Sequence, residues 1–160
     1  MLDYVFGQDK IVADFVASLI PECRERGFGK CAAIGIVNEE GMLLGGLVYR
    51  NWCPEVGTIE VSGAAVPGTN WLSRRTVNIM YDYPFYQVGV QMVIKTTMAD
   101  NAIVLRIMAA VGFSLHKIKR LGGRDRDGVV GTLTVEDWEA SPYNLKNRKH
   151  RSAEEQKEAA

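Results

Sequence analysis

Glu60 stands in the run Thr58-Ile59-Glu60-Val61-Ser62, in which apolar and polar residues alternate. As a strand, this run puts Glu60 on one face with Thr58 and Ser62, and Ile59 and Val61 on the other. A carboxylate so placed can take a proton from a nucleophile or order a water that does. The plainer reading is an edge glutamate facing water or paired with a nearby arginine. Gly63, between Ser62 and Ala64, marks a bulge or a close backbone approach, or simply a small residue packed beneath a helix. Farther on, Leu72-Ser73-Arg74-Arg75 opens a helical pattern. The free N–H groups of a helix start attract phosphate, and arginine adds charge and forked donors. Asp100-Asn101 precedes Ile103, Val104, Ile107, Met108 and Val111, an apolar helical spacing that an Asx residue caps. Gly112 sits where a left-handed C-cap belongs. Arg106, on that helix, is placed to reach a phosphate or to be solvated.

Other chemistry finds less support. Cys23, Cys31 and Cys53 are odd in number and widely spaced, which fits neither a disulfide framework nor a zinc site. With only His116 and His150 besides, no metal is expected, and the thiols read as reduced and packed. His116 alternates with Leu115 on a strand and reads as a surface histidine. Lys117, Lys119, Arg120, Arg124 and Arg126 make one basic cluster and Lys146 to Arg151 a second. Asp125, Asp127 and the acidic end dilute both. The 19 basic and 19 acidic residues cancel, so no global field draws the chain to DNA or an anionic membrane. The apolar runs are strand-sized, and the first residues lack a basic start and long apolar stretch, so the expected location is the cytoplasm.

Periodicity supplies the elements that must position these residues. Leu2 to Phe6 reads as a first strand. A helix capped by Gln8 or Asp9 follows, with Val12, Phe15, Val16 and Leu19 inward and Pro21 as its stop. Cys31 to Val37, Met42 to Tyr49 and Thr58 to Ala65 read as three strands joined by short turns, hence an antiparallel meander. Trp71 to about Tyr86 reads as a helix troubled by Pro84. Then come a strand from Val88 to Thr97, the helix opened by Asn101, and strands Phe113 to Lys119 and Val129 to Val135. The strand-helix-strand unit in the middle implies a parallel crossover within an otherwise antiparallel sheet. The expected class is therefore α/β: a mixed, mostly antiparallel sheet of about six to seven strands flanked by helices. Residues 1–140 form the expected domain, and 141–160 a polar tail, mobile or loosely helical.

The segment from Asp100-Asn101 through Val111-Gly112-Phe113 resembles the signature of the GNAT N-acetyltransferases, in which an Asn opens a helix that closes on Gly-Phe. Thr58 to Ser62 resembles that family's fourth strand, and Tyr83-Pro84-Phe85 with Gly89-Val90 falls where its next helix ends. The similarity runs from about Cys31 to Trp138 and is closest to the ribosomal-protein alanine acetyltransferase subgroup. It implies acetyl-CoA as co-substrate, with transfer of an acetyl or other short acyl group to an amine, on a protein N-terminus or a small molecule. It implies Glu60 as base, the backbone at Val61, Ser62, Gly63 and Ala64 along the pantetheine arm, and Leu72, Ser73, Arg74 and Arg75 with Asn101 and Arg106 as the cofactor's cradle. Two departures stand out. The phosphate loop, Asn70 to Arg75, has no glycine, and the position of the family's tyrosine acid holds Met108, leaving Tyr81, Tyr83, Ser114 or water as substitutes. Two other readings follow from the same residues: a nucleic-acid-modifying enzyme like a phage DNA-modification branch of the fold, with a donor other than acetyl-CoA, motivated by the missing glycines and the basic hairpin, and a non-catalytic CoA-binding or regulatory module.

Overall fold

A computed structural model describes residues 1–159 of the chain. They divide into two compact units, Met1–Thr76 and the residues from Val77 onward. In the first, strands β1 (Asp3–Val5), β2 (Cys31–Val37), β3 (Leu43–Cys53) and β4 (Thr58–Ala65) pair antiparallel in chain order. Helix α1 (Asp9–Leu19) packs on β2 and β3. It fits because those strands present glycines beneath it. A Cβ on Gly46 would lie 2.5 Å from Val12 Cγ1 and 3.0 Å from Val16 Cγ2. Val12, Ala13, Val16 and Ala17 bury themselves there with Phe28, Ala33 and Val48.

Asp9 does not cap α1. Its Oδ1 accepts the Ala33 N–H at 2.8 Å, tying the helix start to β2. Pro21 ends α1 and opens a 3-10 turn, Pro21–Cys23. The Asn38 turn is fixed by its own side chain, whose Oδ1 accepts from the N–H groups of Glu40 and Met42. Strand β3 runs past its expected end at Tyr49 because Asn51, with φ of 51°, takes up an irregularity between Arg50 and Cys53 and lets pairing resume at Thr58.

In the second unit, β7 (Gly128–Thr134) pairs antiparallel with both β5 (Met92–Met98) and β6 (Ser114–Ile118). Helix α3 (Ala102–Val111) buries Met108 and Val111, while Ile103, expected inside, is 70% exposed. The division between the units falls within α2 (Arg74–Asp82). The helix expected to reach Tyr86 widens at Pro84 into a π-helical turn, Tyr83–Val88, whose end is closed by the Gly89 and Val90 N–H groups on Pro84 O. Those residues are thereby spent, and β5 begins at Met92 rather than Val88.

Helix α4 (Val135–Ala140) was not anticipated; Thr134 caps it by accepting the Asp137 N–H. It carries Trp138, fully buried, whose Nε1 donates to Asp82 Oδ1 at 3.1 Å and whose ring lies against Tyr81. The polar segment from Ser141 forms α5 (Leu145–Glu158). Its start is held: buried Asn144 donates to Trp138 O and Tyr86 Oη, and the Leu145 N–H donates to Asn78 Oδ1. The fold is α/β with mostly antiparallel strands and flanking helices, as the pattern implied. Among the described residues, no helix is long and apolar enough to cross a membrane.

Candidate functional site

Strand β4 carries Glu60, Val61, Ser62, Gly63 and Ala64 in sequence, so the chain brings these five expected residues together locally. Ile59 and Val61 are buried; Glu60 and Ser62 alternate with them. Glu60 pairs across the ladder with Arg50, and Ser62 with Val48, a member of the α1 core. The carboxylate therefore emerges on the side of the sheet that α1 covers. Arg50 Nε lies 3.3 Å from Glu60 Oε2, with both side chains about one-third exposed (34% and 33%). Nε itself is sealed from water, and its geometry toward Glu60 is that of an ion pair without an aligned hydrogen bond. The guanidinium also sits over the Phe28 ring, 5.5 Å from its centroid. Arg50 was missed in the sequence because the register that aligns it with Glu60 depends on the irregularity at Asn51.

Gly63 marks no bulge: pairing runs regularly through it, opposite Leu47. It marks a close approach. A Cβ there would come within 3.2 Å of both the Trp71 ring and Leu47. The phosphate-loop residues lie at the start of α2, a helix of nine residues with no acid in its first turn. Ser73 Oγ accepts the Thr76 N–H at 3.1 Å and meets Thr76 Oγ1, which in turn bonds Tyr4 Oη at 2.7 Å. Arg75 is turned toward β1, donating to Leu2 O and lying over the Tyr4 ring. Arg74 is exposed.

In the second unit, Asn101 caps α3. Its Oδ1 accepts from the Val104 N–H at 3.4 Å, and its Nδ2 donates to Thr97 Oγ1 at 3.3 Å. Arg106 is exposed on the same helix. Met108 is buried, its terminal methyl occupying the space a Gly131 side chain would need, so it belongs to the core. Tyr81, a suggested substitute acid, is buried among Phe113 and Trp138, and desolvation pushes its phenol well above its ordinary range.

Lys95, on β5, drew no notice in the sequence. It shares a face with buried Val93 and pairs with Gly131, beneath Met108 and Phe113. Its ammonium has no ion-pair or hydrogen-bond partner among the described residues. Desolvation by that apolar wall brings its pKa from 10.5 to about 8. A lone lysine in phase with Val93 and Thr97 in a β-branched run was the available signal.

The basic cluster is largely tied down. Lys117 lies 3.6 Å from Asp127, Arg126 makes a forked contact with Asp100 that also holds the Asp100 carboxyl below its usual range, and Arg120 Nε donates to Arg124 O. His116 is exposed. The side chains from residue 148 to Arg151, including His150, lie outside the described residues. The three cysteines are free, and burial raises the Cys23 and Cys31 thiols, the reverse of what a reactive thiolate needs. Among the described residues, no cluster of His, Cys, Asp and Glu could hold a metal.

No family model matches the sequence, and no curated protein matches it by sequence. Solved structures do match. A spermidine N-acetyltransferase of Vibrio cholerae superposes with a TM-score of 0.70 at 11% identity, over 86% of this chain and 95% of that one. A ribosomal-protein-S5-alanine acetyltransferase of Vibrio fischeri does so with a TM-score of 0.65 at 16% identity, over 86% and 94%. The fold is that of the GNAT acetyltransferases.

Two places in the chain carry donor chemistry compatible with an anionic ligand. The α2 start offers helix N–H groups beside two arginines with no acid in its first turn, though Ser73 takes the Thr76 N–H and Asp3 lies 4.0 Å from Arg75. One of those arginines, Arg75, is engaged with β1. The second unit offers a polar pair, Asn101 and Thr97, at the mouth of α3.

Proposed function

We propose that this chain is an N-acyltransferase, moving an acetyl or other short acyl group from CoA to an amine by direct attack on the thioester. The observation that carries the reading is the GNAT fold, matched over 86% of the chain by N-acetyltransferases, together with an Asn-capped α3 that closes on Gly112-Phe113. When bound, acyl-CoA supplies an activated carbonyl and a thiol leaving group.

The chain's own residues would do the rest. Glu60, held by Arg50, orders a water or takes the proton that the attacking nitrogen sheds. An amine near neutral pH is mostly protonated, so that proton must have a destination. Backbone N–H groups of β4 near Ser62 polarise the thioester carbonyl, as preorganised dipoles do. Leu72 to Arg75 hold the phosphates, and Asn101 and Arg106 hold the pantetheine arm and a phosphate. The acceptor is an amine, on a protein N-terminus or a small molecule such as a polyamine, and the chain works in the cytoplasm. The domain comprises residues 1–140, with 141–160 an appended segment.

Calorimetry with acetyl-CoA, followed by thiol release with spermidine and with a peptide bearing an N-terminal alanine, tests the reading. Saturable binding and amine-dependent release of CoA are expected. No binding at millimolar acetyl-CoA would remove it. The nucleic-acid reading has less support from the hairpin, because Lys117 and Arg126 are paired with Asp127 and Asp100.

A further inference from the structure

We propose that Lys95 is the general acid that protonates the departing CoA sulfur, an inference that rests on the acyltransferase reading above. The geometry lies within one unit. On a strand, alternate residues share a face and lie about 6.6 Å apart. Lys95 and Thr97 are such neighbours on β5, and Thr97 Oγ1 receives the Asn101 amide at 3.3 Å. Asn101, Thr97 and Lys95 therefore form a line of polar groups along one side of the strand, beneath α3. A thiol end held at Asn101 and Thr97 lies within the span of a lysine side chain.

The walls of this line explain why the lysine is available. Lys95 pairs with Gly131, where a Cβ would sit 2.3 Å from Met108 Cε. Val93 and Leu133, the next pair on that face, are completely buried. The ionisable groups on the surrounding elements do not neutralise it. Strand β7 has none between Gly128 and Thr134. On β6, Lys117 shares the face but is paired with Asp127. Helix α3 carries only Arg106, which is exposed, and α2 brings Tyr81, held as the neutral phenol. A half-buried ammonium with no partner among the described residues is an acid seeking an anion.

The chemistry balances. The amine nitrogen forms its bond to the acyl carbon, and the C–S bond breaks with its electron pair going to sulfur. Lys95 Nζ gives that sulfur a proton, leaving a thiol and a neutral lysine. The attacking nitrogen gives its surplus proton to water, and Lys95 recovers one from solvent. A lysine of pKa about 8 is still mostly protonated at pH 7, yet close enough to a thiol's ~8.5 that transfer is nearly thermoneutral.

The test uses bound CoA itself and needs no acceptor. The thiolate absorbance of the CoA complex, measured as a difference against desulfo-CoA, is titrated in the wild type, in Lys95→Met and in Lys95→Gln. Met is nearly isosteric and removes a desolvated charge, so it should fold at least as well; Gln retains a polar end. With the ammonium present, the bound thiol should ionise about one pH unit lower than in either variant. With acetyl-CoA and an accepted amine, kcat should fall about 100-fold in both variants with KM little changed. Equal thiol titration in wild type and variants, with CoA binding intact, would overturn the role of Lys95 and leave the acyltransferase reading standing. Failure of all three proteins to bind CoA would overturn both.

Discussion

Arg50 and Glu60 face each other across β3 and β4, Nε to Oε2 at 3.3 Å, with Arg50 also resting on Phe28. The pair makes Glu60 a fixed carboxylate rather than a free one. Glu60→Gln should lower kcat about 100-fold if the carboxylate handles the proton. It should also cost about 1 kcal/mol in urea unfolding, because a partly sealed guanidinium loses its counter-charge while part of the pair remains in water. A stability loss with unchanged turnover would reduce Glu60 to a structural partner of Arg50.

Asn101 has two roles that one substitution separates. Asp caps helices as well as Asn does, and its charge suits a helix start. Asn101→Asp should therefore keep thermal stability near wild type, whereas Asn101→Ala should lose about 1 kcal/mol. Asp has no N–H to offer Thr97 or a ligand, and it brings a charge against an anionic cofactor. Both variants should weaken acetyl-CoA about tenfold by calorimetry. Full affinity in Asn101→Asp would assign the residue to the cap alone.

Two glycines that look alike in sequence should behave differently. A Cβ at Gly45 would come 2.5 Å from the Ala64 carbonyl oxygen, a backbone atom that moves only with its strand. Gly45→Ala should destabilise by about 2–3 kcal/mol. At Gly131 the nearest atom is the Met108 terminal methyl, which can swing aside. Gly131→Ala should cost about 1 kcal/mol or less by the same chemical denaturation.

Lys95 makes stability depend on pH in a direction set by linkage. Its folded pKa, about 8, lies below the unfolded value of 10.5. Between these values the unfolded chain binds more protons than the folded one, so this group's contribution to stability rises with pH through that window. Below about pH 8 the full penalty of the buried charge applies. Lys95→Met should remove this slope and gain about 1–2 kcal/mol at pH 7, allowing for the part of the side chain that reaches water. Paired melts at pH 7 and pH 9.5 check it, and an unchanged slope in the variant would contradict the desolvation account.

By itself the sequence determined the elements whose cause is local. A short apolar run closed by a turn marked β2 and alternation marked β4, both at their observed bounds, Asn101 and Gly112 marked the two ends of α3, and Pro21 stopped α1. These depend on neighbours along the chain: side-chain period, caps, and a missing N–H. The structure decided what depends on distant partners. Arg50 meets Glu60 only once Asn51 has shifted the register, Trp138 finds Asp82 across 56 residues, and Lys95 becomes half-buried beside Gly131 only when Met108 and Phe113 close over that glycine. The candidate base was legible because strand alternation alone places it. The candidate acid was only hinted at, by a lone lysine in phase with Val93, because desolvation is set by what packs above a residue and the run from Met92 to Met98 does not record that.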